Sequence, residues 1–136
     1  MEISASQKSL IIKTVFQAIP DCQALYLFGS YATGHATQAS DLDLAVLRPG
    51  RIEPTRLLEL SNELARALLL PIDLIDLQQA STIMRYEILR QAQELVVTDS
   101  LGSNLFASHA WSDYVEFTVQ RQPMIDDIKG RGHIYG

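Results

Sequence analysis

Asp41 and Asp43 stand one residue apart, and ten residues separate them from an upstream Gly29-Ser30 pair. Side chains two apart in a strand share a face, with their Cα atoms roughly 6.5 Å apart. Two carboxylates so placed can converge on one hard cation. Without a cation, like charges at about 4 Å repel by roughly 4 kcal/mol at an effective dielectric near 20. One of the pair then titrates with a raised pKa. The spacing therefore points to a divalent metal. Magnesium suits it, because that ion takes oxygen ligands from one or two carboxylates and from substrate phosphates. Gly29 allows the backbone to approach a phosphate closely. The Ser30 hydroxyl and nearby amides can donate to phosphate oxygens. A third carboxylate, Asp73, can take the proton of an incoming hydroxyl. Asp76 competes for that role, but three residues on it should face away from Asp73.

Positioning these groups requires strands that end at them. Leu25 to Phe28 is a continuous apolar run that stops at Gly29, as a buried strand would. The small, polar stretch from Tyr31 to Ser40 reads as a loop or short helix. Leu42, Leu44 and Val46 alternate with Asp43 and Ala45, which predicts a second strand. Pro54 opens a helix to about Leu69, with Leu57, Leu58, Leu60, Leu64, Ala65 and Leu68 inward. Pro71 separates it from a third strand, Ile72 to Leu77. Upstream, apolar spacing from Ser4 to Ile19 predicts a helix ending at Pro20. Downstream, Ser81 caps a helix through about Ala92, and Leu95 to Val97 forms a short edge strand. A long helix is expected over about 103–128, with Pro123 kinking or ending it, and 130–136 reads as a flexible tail. Residues 1–129 make one domain of the α/β (α+β) class.

With 136 residues, 47% of them apolar and 20% charged, the chain has the composition of one globular domain. Its single cysteine, Cys22, excludes an internal disulfide and fits a reducing, cytoplasmic setting. No apolar run reaches the roughly 20 residues that span a bilayer, and no signal peptide is visible. A net charge of −5 without a Lys/Arg cluster argues against a stable nucleic acid complex.

The Gly29-Ser30, ten residues, Asp41-x-Asp43 pattern between two strands resembles the signature of the polymerase-beta-like nucleotidyltransferase superfamily. The short chain is similar to its minimal nucleotidyltransferase branch, the MNT antitoxins encoded beside HEPN-domain RNase toxins. The resemblance covers about Leu25 to Val97, and the C-terminal helix matches it loosely. It implies a small mixed β-sheet flanked by helices. It makes Asp41, Asp43 and Asp73 the catalytic, metal-binding carboxylates and Gly29 and Ser30 the nucleotide contacts. The implied reaction is attack of a hydroxyl on the α-phosphorus of ATP with release of pyrophosphate, assisted by two magnesium ions. The implied acceptor is a tyrosine on a HEPN toxin, neutralised by the added AMP.

Two other functions fit the same chain. One is transfer to a small-molecule hydroxyl such as an aminoglycoside; the other is neutralisation by docking alone, through Trp111 to Val119. His35 reads as a solvated loop histidine and Cys22 as a structural thiol. Arg48, Arg51, Arg85 and Arg90 are each able to face a triphosphate, and sequence does not choose among them.

Overall fold

The computed structural model describes the backbone of residues 2–131 and the side chains of residues 2–120. Nine elements alternate along it: α1 (Ala5–Ala18), β1 (Ala24–Phe28), α2 (Ser30–Thr33), β2 (Leu42–Leu47), α3 (Pro54–Leu68), β3 (Ile72–Asp76), α4 (Thr82–Gln91), β4 (Gln93–Val97) and α5 (Ser100–Arg131). Four strands form one mixed sheet in the order β3-β2-β1-β4. β1 pairs antiparallel with both β2 and β4, while β2 and β3 run parallel. Parallel neighbours need a crossover, and α3 supplies it.

Alternation along the strands divides the core between the two faces. Leu25, Leu27, Leu42, Leu44, Val46 and Leu74 pack with Ile11 and Val15 of α1 and Leu60 and Leu64 of α3. Ala24, Tyr26, Phe28, Ala45 and Leu47 face the other way, toward Ile88 of α4 and Phe106 of α5. Each fully buried leucine or isoleucine in these layers contributes about 1.5–3 kcal/mol. Asp43 and Asp73 share the parity of the second set, so their carboxylates belong to the α4–α5 face.

Local chemistry sets the helix ends. Ser4 accepts from the Gln7 amide while the Gln7 side chain reaches back to the Ser4 amide, a reciprocal cap on α1. Pro54 sits in the first turn of α3, and the Ser81 hydroxyl caps α4. α5 begins at Ser100, earlier than the apolar spacing indicates, because Asp99 accepts from the Gly102 amide and the Gln23 side chain. The helix continues past Pro123 to Arg131. A proline removes one N–H and the turn re-forms beyond it. Of the tail expected at 130–136, residues from Gly132 onward lie outside the described residues.

Leu58 departs from its expected inward position and is 62% exposed. It lies off the Leu60, Leu64, Leu68 stripe that meets the sheet. Leu69 is still more exposed, at 87%, and ends α3 in the left-handed region at φ 56°. A side chain in that conformation costs about 1–2 kcal/mol, and helices usually end there on glycine. Leu69→Gly is therefore expected to raise unfolding stability by about 0.5–1 kcal/mol, after allowing for glycine's freer unfolded chain. Urea denaturation of the two proteins measures it, and a loss of stability contradicts the strain.

Candidate active site

β1, β2 and β3 deliver the candidate residues to one end of the sheet. In the β1–β2 pairing Phe28 lies opposite Asp43, so Gly29 follows directly beside it. In the β2–β3 pairing Asp43 lies opposite Asp73. Parallel neighbours stand about 4.8 Å apart, so the two carboxylates are set side by side across the ladder, where the Asp73 charge bears on Asp43. Close approach of two carboxylates favours a shared proton or an intervening cation. Burial, with the charges of Asp73 and then Asp41, pushes the Asp43 carboxyl up to about 6.

Gly29 adopts φ 70°, and the Asp43 carboxylate lies where a Cβ would stand. Only glycine admits this approach. Immediately after it Ser30 opens the short helix α2, whose first amides have no carbonyl one turn back to bond. Thr33 closes the turn by donating from its amide and hydroxyl to the Gly29 carbonyl. Gln93 on β4 donates to the Ala32 carbonyl at 2.8 Å, tying the turn to the sheet. Donors for phosphate oxygens thus abut oxygens suited to a metal.

Asp41 is exposed and precedes β2. It acts on Asp43 through space, and among the described residues no three His, Cys, Asp or Glu side chains form a ready metal cage. The donor set still fits magnesium, a hard cation that takes one or two carboxylates and completes its shell with water and substrate phosphates. Asp41, Asp43 and Asp73 are the groups available to hold it.

Asp76 is structural. It is 3% exposed and accepts from the Ile52 amide at 2.7 Å, the Gln78 amide at 3.0 Å and Gln79 Nε2 at 2.9 Å. Its separation from the site follows from the three-residue offset. Its network rests on a contact 24 residues away in sequence, with only the local bonds to Gln78 and Gln79 hinting at it. Arg48 forms a two-pronged ion pair with Asp21 and bonds the Arg51 carbonyl. Arg85 donates to the Leu77 and Gln78 carbonyls, and Arg90 pairs with Glu87. Arg51 lines a pocket of about 230 Å³ with Arg48 and Arg56 at the opposite end of the sheet. The four candidate arginines therefore have other places, and a triphosphate at the carboxylates needs cations for its neutralisation. His35 is exposed beside Thr33. Cys22 is buried, and that burial pushes its thiol up to about 11, leaving it unreactive.

Known proteins share this architecture. Residues 11–101 match the family described as Polymerase beta, Nucleotidyltransferase. Protein adenylyltransferase MntA of Shewanella oneidensis is 38% identical over 118 residues, which span 87% of this chain and 84% of that protein. A crystal structure of a toxin-antitoxin with AMP-PNP contains a chain 37% identical, at TM-score 0.81, covering 90% of this chain and 98% of that one. A complex of tri-AMPylated Shewanella oneidensis HEPN toxin with MNT antitoxin contains a chain 35% identical, at TM-score 0.76, covering 91% and 97%.

Two outcomes follow from the geometry. Gly29→Ala forces the new Cβ into the Asp43 carboxylate at a strained φ and is expected to destabilise the fold by about 2 kcal/mol or more, read by urea denaturation. For Asp43, folding raises the pKa from 3.8 to about 6. The folded state then holds a proton that the unfolded chain releases, so this contribution is intact below about pH 4 and drains away as pH rises through about 6. In metal-free buffer Asp43→Asn should therefore melt above the wild type at pH 8, with the gap closing toward pH 4. A constant gap across that range contradicts the close approach of the carboxylates.

Proposed function

The chain belongs to the polymerase beta nucleotidyltransferase family, and on that premise we propose that it is a protein adenylyltransferase that moves AMP from ATP to a tyrosine hydroxyl of a partner HEPN toxin and so neutralises it. One observation supports the reading above others. The Gly29 backbone lies against the Asp43 carboxylate while Asp73 stands in register on the next strand, so phosphate donors, metal ligands and a base occupy one strand end. The similar MntA protein is named for this activity, and a similar chain accompanies a tri-AMPylated HEPN toxin.

In this mechanism Gly29 and Ser30 hold the triphosphate through backbone and hydroxyl donors. Asp41, Asp43 and Asp73 would hold magnesium, two ions by family resemblance, which when bound would supply positive charge against the phosphates and the departing pyrophosphate. Asp73, exposed on β3, takes the proton of the acceptor hydroxyl. The acceptor oxygen bonds to the α-phosphorus as the bond to the bridging oxygen breaks, and pyrophosphate leaves with that electron pair. The AMP left on the toxin adds bulk and negative charge, which block a surface built to bind RNA phosphates. A reaction that consumes ATP belongs in the cytoplasm. Among the described residues no helix is long and apolar enough to cross a membrane. Residues 1–129 act as one domain, working on protein with no stable nucleic acid complex.

A second reading, neutralisation by docking alone, has its own observation. Tyr86 stacks on Tyr114 at 3.7 Å, with Trp111 5.5 Å from Tyr86 and 55% exposed, and Val115 and Val119 continue along α5 as exposed apolar residues. One experiment separates the two. Wild type and Asp43→Asn are each incubated with ATP, magnesium and the toxin encoded by the adjacent gene, followed by intact mass and RNase assay. The enzyme reading expects AMP on the toxin and loss of RNase activity with wild type only. Equal neutralisation by both proteins without a mass change supports docking.

A further inference from the structure

β3 is the edge strand of the sheet, and it bears Asp73. Its inward bonds to β2 alternate: Leu42 donates to the Pro71 carbonyl, and Leu77 donates to the Val46 carbonyl. In a parallel ladder this pattern turns the odd-numbered residues of β3 toward β2 and the even-numbered ones outward. The outward Ile72 carbonyl meets only a long 3.4 Å contact from the Ser61 hydroxyl, and the Asp76 carbonyl accepts from the Gln79 amide. The Leu74 amide and carbonyl lie between them on the open edge.

Beside that edge runs a groove of about 250 Å³, with Leu57, Leu58, Ile72 and Leu74 as its apolar wall and Asp73 on its lining. Leu58 on its wall is exposed, and the exposed Leu69 ends α3 just before the chain enters β3. Leu69 precedes Pro71 at the carboxylate end of β3 and holds a strained backbone that glycine would relieve. A strained residue with an exposed apolar side chain beside the groove is a candidate contact for a chain docked there.

We infer that the free edge of β3 with the Leu57–Leu58–Leu74 groove is the acceptor subsite, and that it takes an extended segment of the protein substrate, paired to the edge with an apolar residue next to the acceptor tyrosine. This rests on the adenylyltransferase reading. The occupant follows from continuity with the site, because any chain on this edge lies against the base that must receive the acceptor proton. Side chains of an added strand alternate between the two faces. One enters the leucine groove on the α3 side. Its neighbour emerges on the face of Asp73 and places its hydroxyl oxygen for the attack on the α-phosphorus described above. β4, the other edge strand, offers no such carboxylate in register with Asp43.

Two surface variants and one exchange measurement test the subsite, using the full chain and the toxin encoded by the adjacent gene. Leu58→Glu and Leu69→Gly are each expected to lower kcat/KM for toxin by about tenfold, while KM for ATP and the melting shift caused by ATP with magnesium stay at wild-type values. Leu69→Gly keeps the test independent of folding, because it gains stability. Binding of toxin without ATP is expected to slow amide exchange at Leu74 and its neighbours in β3. If wild type modifies the toxin but both variants match it, or if exchange in β3 is unchanged, the subsite is overturned and the enzyme stands. If Trp111→Ala alone lowers kcat/KM, the acceptor docks on α5 and the inference is equally overturned. If wild type leaves the toxin unmodified, the adenylyltransferase reading falls first.

Discussion

The register that sets the Asp43 carboxylate opposite Asp73 is the constraint around which this end of the molecule is organised. Two anionic groups side by side destabilise the empty fold, and the partial burial of Asp43 removes water that would screen it. Their Cα positions are nonetheless set by ladder hydrogen bonds on neighbouring strands, so they cannot drift apart without breaking the sheet. The repulsion is a cost of the unliganded arrangement. A divalent cation bound between the carboxylates would relieve it, and the same cation would screen any phosphates brought up to them.

The rest of the architecture serves that register from behind. Leu42 and Leu44 flank Asp43 in sequence and are fully buried under α1 and α3, so the strand cannot rotate its carboxylate into solvent. Gly29 brings the first-turn amides of α2 up to the same carboxylate. Gln93 then ties α2 to β4, making the turn after Gly29 part of the sheet. Asp76 closes the opposite end of β3 by bonding the Ile52 amide across the crossover. Both ends of β3 are thereby held, one by its pairing with β2 and one by the Asp76 hydrogen bonds.

Patterns among residues close together in the chain are legible in the sequence alone. The apolar run before Gly29, the alternation after Asp41 and the Ser4 and Ser81 caps all depend on neighbours within a few residues, and each element lies where those patterns indicate. Residue type and strand position nominate Asp73, but its register opposite Asp43 depends on strand order, a property of the whole sheet. Leu58 escapes the same reasoning because a leucine-rich helix offers more apolar positions than one buried stripe accepts. Arginine placement is illegible for a related reason. Arg48 and Arg85 reach partners 27 and 8 residues away, and composition cannot distinguish a guanidinium held by the protein from one awaiting a ligand.

The edge position of β3 has a consequence for self-association. An unpaired strand usually invites copies of itself, and many proteins blunt such strands with inward-pointing charge. Here the five residues of β3 include Asp73 and Asp76, so a second β3 laid alongside in matching register would set acid against acid with no cation between. The edge discriminates by electrostatics against its own twin. A carboxylate on a boundary strand thus acts as a guard against fibrous stacking.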